Sequence, residues 1–360
     1  MRALGLTAFS IAAAGTATLI GMGPRPHAAA QAPAGASPQY RFESRVDFVN
    51  VTVTVSDEAG RYVRGLRQED FALFEDDRPQ PVAIFFSERV PVSLGIAIDT
   101  SGSMQGGKYD VARRALDRFL GELLDPTDEI FLCRFDDDVE VLQRWTTSRE
   151  LLRRALGSIS PRGATTLYDA IAEAAPLAQT GRQRKKALVV ISDGNDTSSR
   201  IEVTALKQIV RRTEVLVYAI GIDSQAEPDA TRSAPRIPPP APGPGPGGRR
   251  PIPPGPPPRP ATANPRLDAR VDAYALRQLT DDSGGRTEII RSVNDLDPAT
   301  AGVADELSRQ YSLGYRSPSA GDGRWHAIRV EVPGRSYRIR ARSGFLATGA
   351  AGGPERHPRP

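Results

Sequence analysis

The stretch Val92-Ser93-Leu94-Gly95-Ile96-Ala97-Ile98-Asp99-Thr100-Ser101-Gly102-Ser103-Met104 decides how this chain is read. Val92 to Ile98 is an apolar run, which suits a strand buried on both faces of a sheet. It ends abruptly in a carboxylate and two hydroxyls spaced two apart, with Gly102 relaxing the backbone between them. Ligand sites in parallel α/β sheets form outside the carboxyl ends of strands, so Asp99, Ser101 and Ser103 are placed at such an edge.

The pattern continues downstream. Tyr109 to Leu124 carries Val111, Ala115, Phe119 and Leu123 four apart, the spacing of one helical face. Strands follow at Glu129 to Phe135, Val139 to Gln143, Ala187 to Ser192 and Val215 to Ile222, with helices at Arg149 to Leu156, Leu167 to Ala178 and Val203 to Arg212. Val271 to Leu279 reads as helix, Arg286 to Ile290 as strand and Pro298 to Arg309 as helix. This alternation predicts an α/β fold, a doubly wound, mainly parallel sheet covered by helices on both faces.

The flanks read differently. Val49, Val51, Val53 and Val55 alternate with polar residues, as a half-buried strand does. A short strand near Tyr62 and Val63, then Phe71 to Glu75 and Val82 to Phe86 around a turn with Asp76, Asp77 and Pro79, make residues 40–90 an all-β region. Tyr311 to Tyr315, Trp325 to Val332 and Ser336 to Arg342 make residues 311–346 another. Each is too short to bury much alone, so the two are expected to pair as one split sandwich beside an α/β domain of residues 91–310.

Composition sets the outer limits. The chain has 360 residues, one Cys and three His, which excludes a disulfide scaffold and a Cys-rich metal site. Fourteen of its 32 prolines lie between Pro235 and Pro260, so that stretch is neither helix nor central strand. It falls between a finished strand and a resumed helix, which makes residues 224–268 an insertion within the domain. A docking segment and a semi-rigid spacer are its two readings, and the glycines that break its register favour the spacer.

The isoelectric point near 9.3 invites a nucleic-acid partner. Yet the basic excess sits in the N-terminus, the Pro-rich stretch and the tail (347–360), and the remainder is slightly acidic. With 6% aromatic residues and no basic groove, nucleic acid is not an expected partner. Residues 3–24 are uncharged, follow Arg2 and lead to Ala28-Ala29-Ala30, the layout of a cleaved secretory signal over residues 1–30. Export to the periplasm or beyond is expected, with no membrane span in the mature form; an uncleaved anchor is the alternative.

Asp99, Ser101 and Ser103 offer only oxygen, which suits a hard cation, Mg²⁺ before Mn²⁺ or Ca²⁺. Gly163-Ala164-Thr165-Thr166-Leu167 adds hydroxyls in a loop before a helix, and Leu188-Val189-Val190-Ile191-Ser192-Asp193-Gly194 ends a second apolar strand in a carboxylate.

On these three segments the sequence resembles the von Willebrand factor A domain with its metal-ion-dependent adhesion site. The family's Asp-x-Ser-x-Ser falls on Asp99, Ser101 and Ser103, its loop Thr on Thr165 and its late Asp on Asp193. The flanks are similar to a bacterial exported group, through Val53 to Gly60, Glu69-Asp70-Phe71 and Tyr311 to Tyr315. The resemblance implies hydroxyl ligands acting directly or through water, carboxylates often through water, and an open coordination position. A partner protein's Asp or Glu fills that position, so the implied function is adhesion or assembly without bond chemistry.

Two other functions compete. A metal-dependent hydrolase lacks an evident nucleophile, a general base or a phosphate loop here. A structural subunit of an envelope or chelatase-like machine is the other. Several residues take plainer readings: Thr166 as a helix N-cap, Asp136-Asp137-Asp138 as a solvated hairpin turn, Asp196 as a loop residue, and His326 as structural. Met104 reads equally as packing beneath the site or as a helix start.

Overall fold

The computed structural model describes residues 48–105, 107–193, 196–222, 272–319 and 321–347. The expected leader (1–30), the Pro-rich stretch (224–268), Gly194 and all but the first residue of the tail lie outside them. No helix among the described residues is long and apolar enough to cross a membrane.

The central sheet is built from β5 (Val92–Asp99), β6 (Glu129–Phe135), β7 (Val139–Thr146), β8 (Lys185–Ser192), β9 (Leu216–Ile222) and β10 (Thr287–Ile290). Its six strands run in the order β10-β9-β8-β5-β6-β7. All neighbours are parallel except β6 and β7, which form an antiparallel edge. Every residue of β5 and β9 is buried, as continuous apolar runs require when both faces are covered.

Helices α1 (Lys108–Arg118), α2 (Arg149–Gly157) and α6 (Leu296–Arg309) pack with Leu94, Ile96 and Ile98 on one face. Helices α3 (Leu167–Gln179), α4 (Val203–Arg211) and α5 (Ala273–Ser283) pack with Ala97, Leu188 and Val190 on the other. Consecutive β5 residues thus feed opposite cores, the alternation a strand imposes. This is the doubly wound α/β architecture.

Strands from both ends of the chain make two further sheets. One holds β1 (Phe48–Ser56), β4 (Ile84–Phe86), β11 (Tyr311–Arg316) and β13 (Arg338–Arg340); the other holds β2 (Ala72–Glu75), β3 (Arg78–Gln80), β12 (Trp325–Glu331) and β14 (Gly344–Leu346). Val51 and Val53 of β1, Leu73 of β2, Tyr311 and Leu313 of β11 and Val330 of β12 share one apolar core.

Several elements differ from the sequence reading. The strand near Tyr62 is a single bridge between Ser56 and Tyr62. The first long helix changes pitch at Phe119, where residues Phe119–Leu123 form a π-helical turn. Two short strands lie where the sequence pattern predicts none: β3, an edge strand carrying Pro79, and the three-residue β14. Asp76 and Asp77, at φ of 46° and 61°, form the two-residue turn that joins β2 to β3, a conformation Asp tolerates better than most residues.

Candidate metal centre

β5 and β8 are neighbours although the chain visits β6 and β7 between them, so the strand order reverses at that point. There the crossovers leave in opposite directions and open a crevice at the carboxyl edge. Asp99 is the last residue of β5, and Asp193 follows the last residue of β8.

A run of oxygen atoms crosses this edge. Ser192 Oγ donates to Asp99 Oδ2 at 2.5 Å, and the Ser101 amide donates to Asp99 Oδ1 at 2.8 Å. Ser101 Oγ lies 2.9 Å from Ser103 Oγ, which donates to Asp193 Oδ1 at 2.5 Å. Gly102 N donates to the Gly163 carbonyl at 2.9 Å and Arg162 N to the Thr100 carbonyl at 2.7 Å, which ties the loop of Thr165 to the loop of the serines. Thr165 is itself clamped: its carbonyl accepts from Thr197 N and Ser198 N, and its amide donates to Thr197 Oγ1 at 3.1 Å.

Asp99, Ser101, Thr165 and Asp193 are buried, whereas Ser103 is exposed. The oxygen set therefore opens to solvent on one side. Burial pushes the Asp99 carboxyl up to about 6, against the opposing pull of its Ser101 and Ser192 hydrogen bonds, and the Asp193 charge adds to the rise. Among the described residues a cation does reach this edge: Lys108, the first residue of α1, donates from Nζ to Asp193 Oδ2 at 2.8 Å. Nothing in the sequence distinguishes that lysine from any other helix-starting residue.

The donor chemistry fits a hard divalent cation. Mg²⁺ takes oxygen ligands at about 2.0–2.1 Å in octahedral geometry, so adjacent ligands stand roughly 2.9 Å apart. The Ser101–Ser103 separation of 2.9 Å matches such an edge, and no sulfur or imidazole intrudes.

Other residues support the loops. Thr166 occupies the N-cap position of α3, but its hydroxyl makes no cap bond; it donates to the Asp136 carbonyl at 2.9 Å, the same acceptor that its own amide meets at 3.0 Å, so both groups pin this loop to the β6–β7 turn. Asp136-Asp137-Asp138 does lie in the β6–β7 turn, yet it is more than a solvated hairpin. Asp136 is buried and paired with Arg134, and Asp137 Oδ1 accepts the Ala164 amide at 2.8 Å. Gly163 sits at φ +76° against that carboxylate, and a Cβ there would come within 2.3 Å of Asp137 Oδ2. Asp196 accepts the Tyr168 amide at 3.2 Å and so anchors the start of α3. Met104 is wholly buried in the core under the site.

Residues 94–195 match the family model for the von Willebrand factor type A domain. No curated protein matches the chain. Among solved structures, it is similar to the vWF domain of the type V pili tip protein Mfa5 from Porphyromonas gingivalis, at 23% identity over 30% of this chain and 40% of that one, TM-score 0.28. It is similar to the conserved hypothetical protein BatB from Bacteroides thetaiotaomicron, at 19% identity over 60% of this chain and 97% of that one, TM-score 0.41. A third is proximal thread matrix protein 1 from the mussel byssus with a zinc-occupied MIDAS motif, at 13% identity over 65% and 49% of the two chains, TM-score 0.45. The chain thus spans less than half the length of the pilus and byssus chains. The family match thus falls on the segment that carries β6, β7, β8 and both strand-end carboxylates, Asp99 and Asp193.

Proposed function

We propose that the chain is a cation-dependent protein-binding module of the cell envelope, using Asp99, Ser101, Ser103, Thr165 and Asp193 as a metal-ion-dependent adhesion site. The observation that carries this reading is the run from Asp99 through Ser101 and Ser103 to Asp193, which joins two separate strand ends at the point where the sheet reverses. A bound Mg²⁺ supplies a positive charge with a coordination position open to a carboxylate.

The chain's own residues do the rest. Asp99 and Asp193 bring negative charge to a mostly buried edge, Ser101, Ser103 and Thr165 bring neutral oxygen, and the exposed Ser103 marks the side from which a partner approaches. The backbone bond between Gly102 and Gly163 fixes the loops before any ligand arrives, so little ordering cost falls on binding. Function is assembly or adhesion through an Asp or Glu of a partner protein, in the periplasm or outside the cell, after removal of residues 1–30.

Co-purification from envelope extract with and without chelator tests this. The partner is expected to be lost with chelator and with Asp99→Ala; binding indifferent to both would overturn it.

A further inference from the structure

At the far side of the sandwich, where β2 turns into β3 beside β12, three metal-ligating side chains converge. We propose that Glu75, Asp76 and His326 form a second cation site, for a divalent transition ion of the zinc class. Their ligand atoms all lie within 4.8 Å of one another.

Each ligand has its other polar atom already held. Glu75 is 2% exposed; Ser317 Oγ donates to its Oε1 at 3.1 Å, and the buried Tyr315 hydroxyl sits against the same carboxylate. A buried carboxylate met by hydroxyls keeps much of its desolvation cost, and a cation offsets that cost most fully. Asp76 Oδ1 accepts the Ala327 amide at 2.9 Å, which leaves Oδ2 turned to His326 Nδ1 at 2.7 Å. His326 Nε2 faces Asp322 Oδ1 at 3.0 Å. A histidine whose second nitrogen donates to a carboxylate is the usual arrangement behind a metal ligand, because it fixes the ring and the tautomer.

The spacings bracket what is needed. Bonds of about 2.0–2.1 Å in a tetrahedral site set ligand atoms roughly 3.3 Å apart. His326 Nδ1 lies 2.7 Å from Asp76 Oδ2 and 4.0 Å from Glu75 Oε1, the oxygen that also accepts from Ser317, so an ion here takes that shared oxygen or needs a rotation of the Glu75 carboxylate. One imidazole with two carboxylates favours zinc-class ions over Mg²⁺. Arg342 shares the neighbourhood, stacking 5.7 Å from the Phe345 ring that also faces His326, but its charge partner is Glu214 at 3.6 Å. The site joins a strand from each end of the chain, so an ion there would pin the β2–β3 turn to β12.

Equilibrium dialysis of the full chain against Zn²⁺ tests the proposal. One equivalent fewer is expected in Glu75→Gln and in His326→Gln than in the unaltered chain, while Asp99→Ala keeps that equivalent. Cobalt in place of zinc is expected to give visible bands that both variants lose. Should either variant fail to fold, Asp322→Ala on the exposed loop is expected to weaken zinc binding roughly 10- to 100-fold. Equal zinc uptake by the unaltered chain and the two site variants, or no effect of Asp322→Ala, would overturn the proposal, whatever becomes of binding at Asp99.

Discussion

Two buried carboxylates, Asp99 and Glu306, are both 0% exposed and yet are treated in opposite ways by their surroundings. Glu306, on α6, is saturated. Thr54, Tyr62 and Tyr218 donate hydroxyls to it at 3.0–3.1 Å, Gln310 an amide at 3.4 Å, and Arg340 and Arg286 pair with it at 2.6 and 3.3 Å. These partners come from β1, the segment after it, β9, β13 and the approach to β10, so Glu306 binds the sandwich to the α/β sheet. Asp99 receives only hydroxyls and one amide, and its charge is disfavoured by burial. A carboxylate matched by cations is a structural rivet, whereas one matched by neutral oxygen is a site waiting for charge.

Breaking the rivet is expected to give the largest effect. Glu306→Ala leaves three hydroxyls without their acceptor and takes the shared carboxylate from Arg286 and Arg340, which among the described residues keep only Glu288 and the Gly285 carbonyl. Removing one partner from a buried charge network costs about 3–5 kcal/mol. Urea denaturation measures it; a loss near that of an ordinary surface substitution would dissolve the contrast. Asp99→Ala is expected to do the reverse, abolishing cation binding while leaving the chelated protein as stable as before or more so. Its affinity loss should exceed the roughly 10- to 100-fold that removing a mere supporting partner costs. Calorimetric titration with Mg²⁺ and a thermal melt in chelator check the two halves.

The contrast was only half visible in the sequence. That Asp99, Ser101, Ser103, Thr165 and Asp193 gather at one sheet edge is legible because each follows an apolar strand or precedes a helix, so position along the chain implies position at that edge. Glu306 is not, since its partners lie up to 252 residues away and its worth depends on strand register. The same holds for His326, which meets Glu75 and Asp76 only through the pairing of β12 with β2. Asp137 acts on a backbone amide in another loop, and Thr166 gives its hydroxyl to a carbonyl. Backbone groups carry no sequence signature. Long apolar strands were legible for the opposite reason, while β3 and β14, three residues each, bury too little to leave a pattern.

Lys185 is a buried cation close to the Glu306 rivet. It is the first residue of β8, 2% exposed, with its Nζ donating to the Leu307 carbonyl at 2.8 Å. Burial, with Arg89 adding to it, lowers its ammonium from 10.5 to about 8, against the pull of Asp128 and Glu306. Between those values the unfolded chain holds more protons, so wild-type stability rises with pH from about 8 to about 10.5. Below about 8 the charge costs the fold up to about 3 kcal/mol. Lys185→Met gives up a hydrogen bond of about 1 kcal/mol and is expected to gain about 1–2 kcal/mol net at neutral pH. That advantage should fade as the pH climbs through the window. Denaturation of both proteins across this range is the measurement, and a pH-independent difference would mean that Lys185 is already neutral or already fully paired.

Lys108 offers the smallest and most discriminating effect, because there the candidate metal centre borrows the rivet's solution. Its ammonium neutralises Asp193 Oδ2 while Asp193 Oδ1 accepts the hydrogen bond of Ser103. If the ammonium belonged to a fixed ion pair, its loss would weaken the edge and lower cation affinity. If instead it holds the place of the cation, its loss removes a like charge from a few ångströms away and frees a carboxylate oxygen. The second case is expected. Lys108→Gln should raise Mg²⁺ affinity roughly three- to tenfold, the scale of one like charge at about 4 Å screened by water, and the gain should shrink as salt screens it further. The lysine is about one-third exposed, so the substitution is expected to leave the melting temperature in chelator nearly unchanged. A fall in affinity on titration would move Asp193 from the class of Asp99 to that of Glu306, a carboxylate whose charge is already spent on the fold.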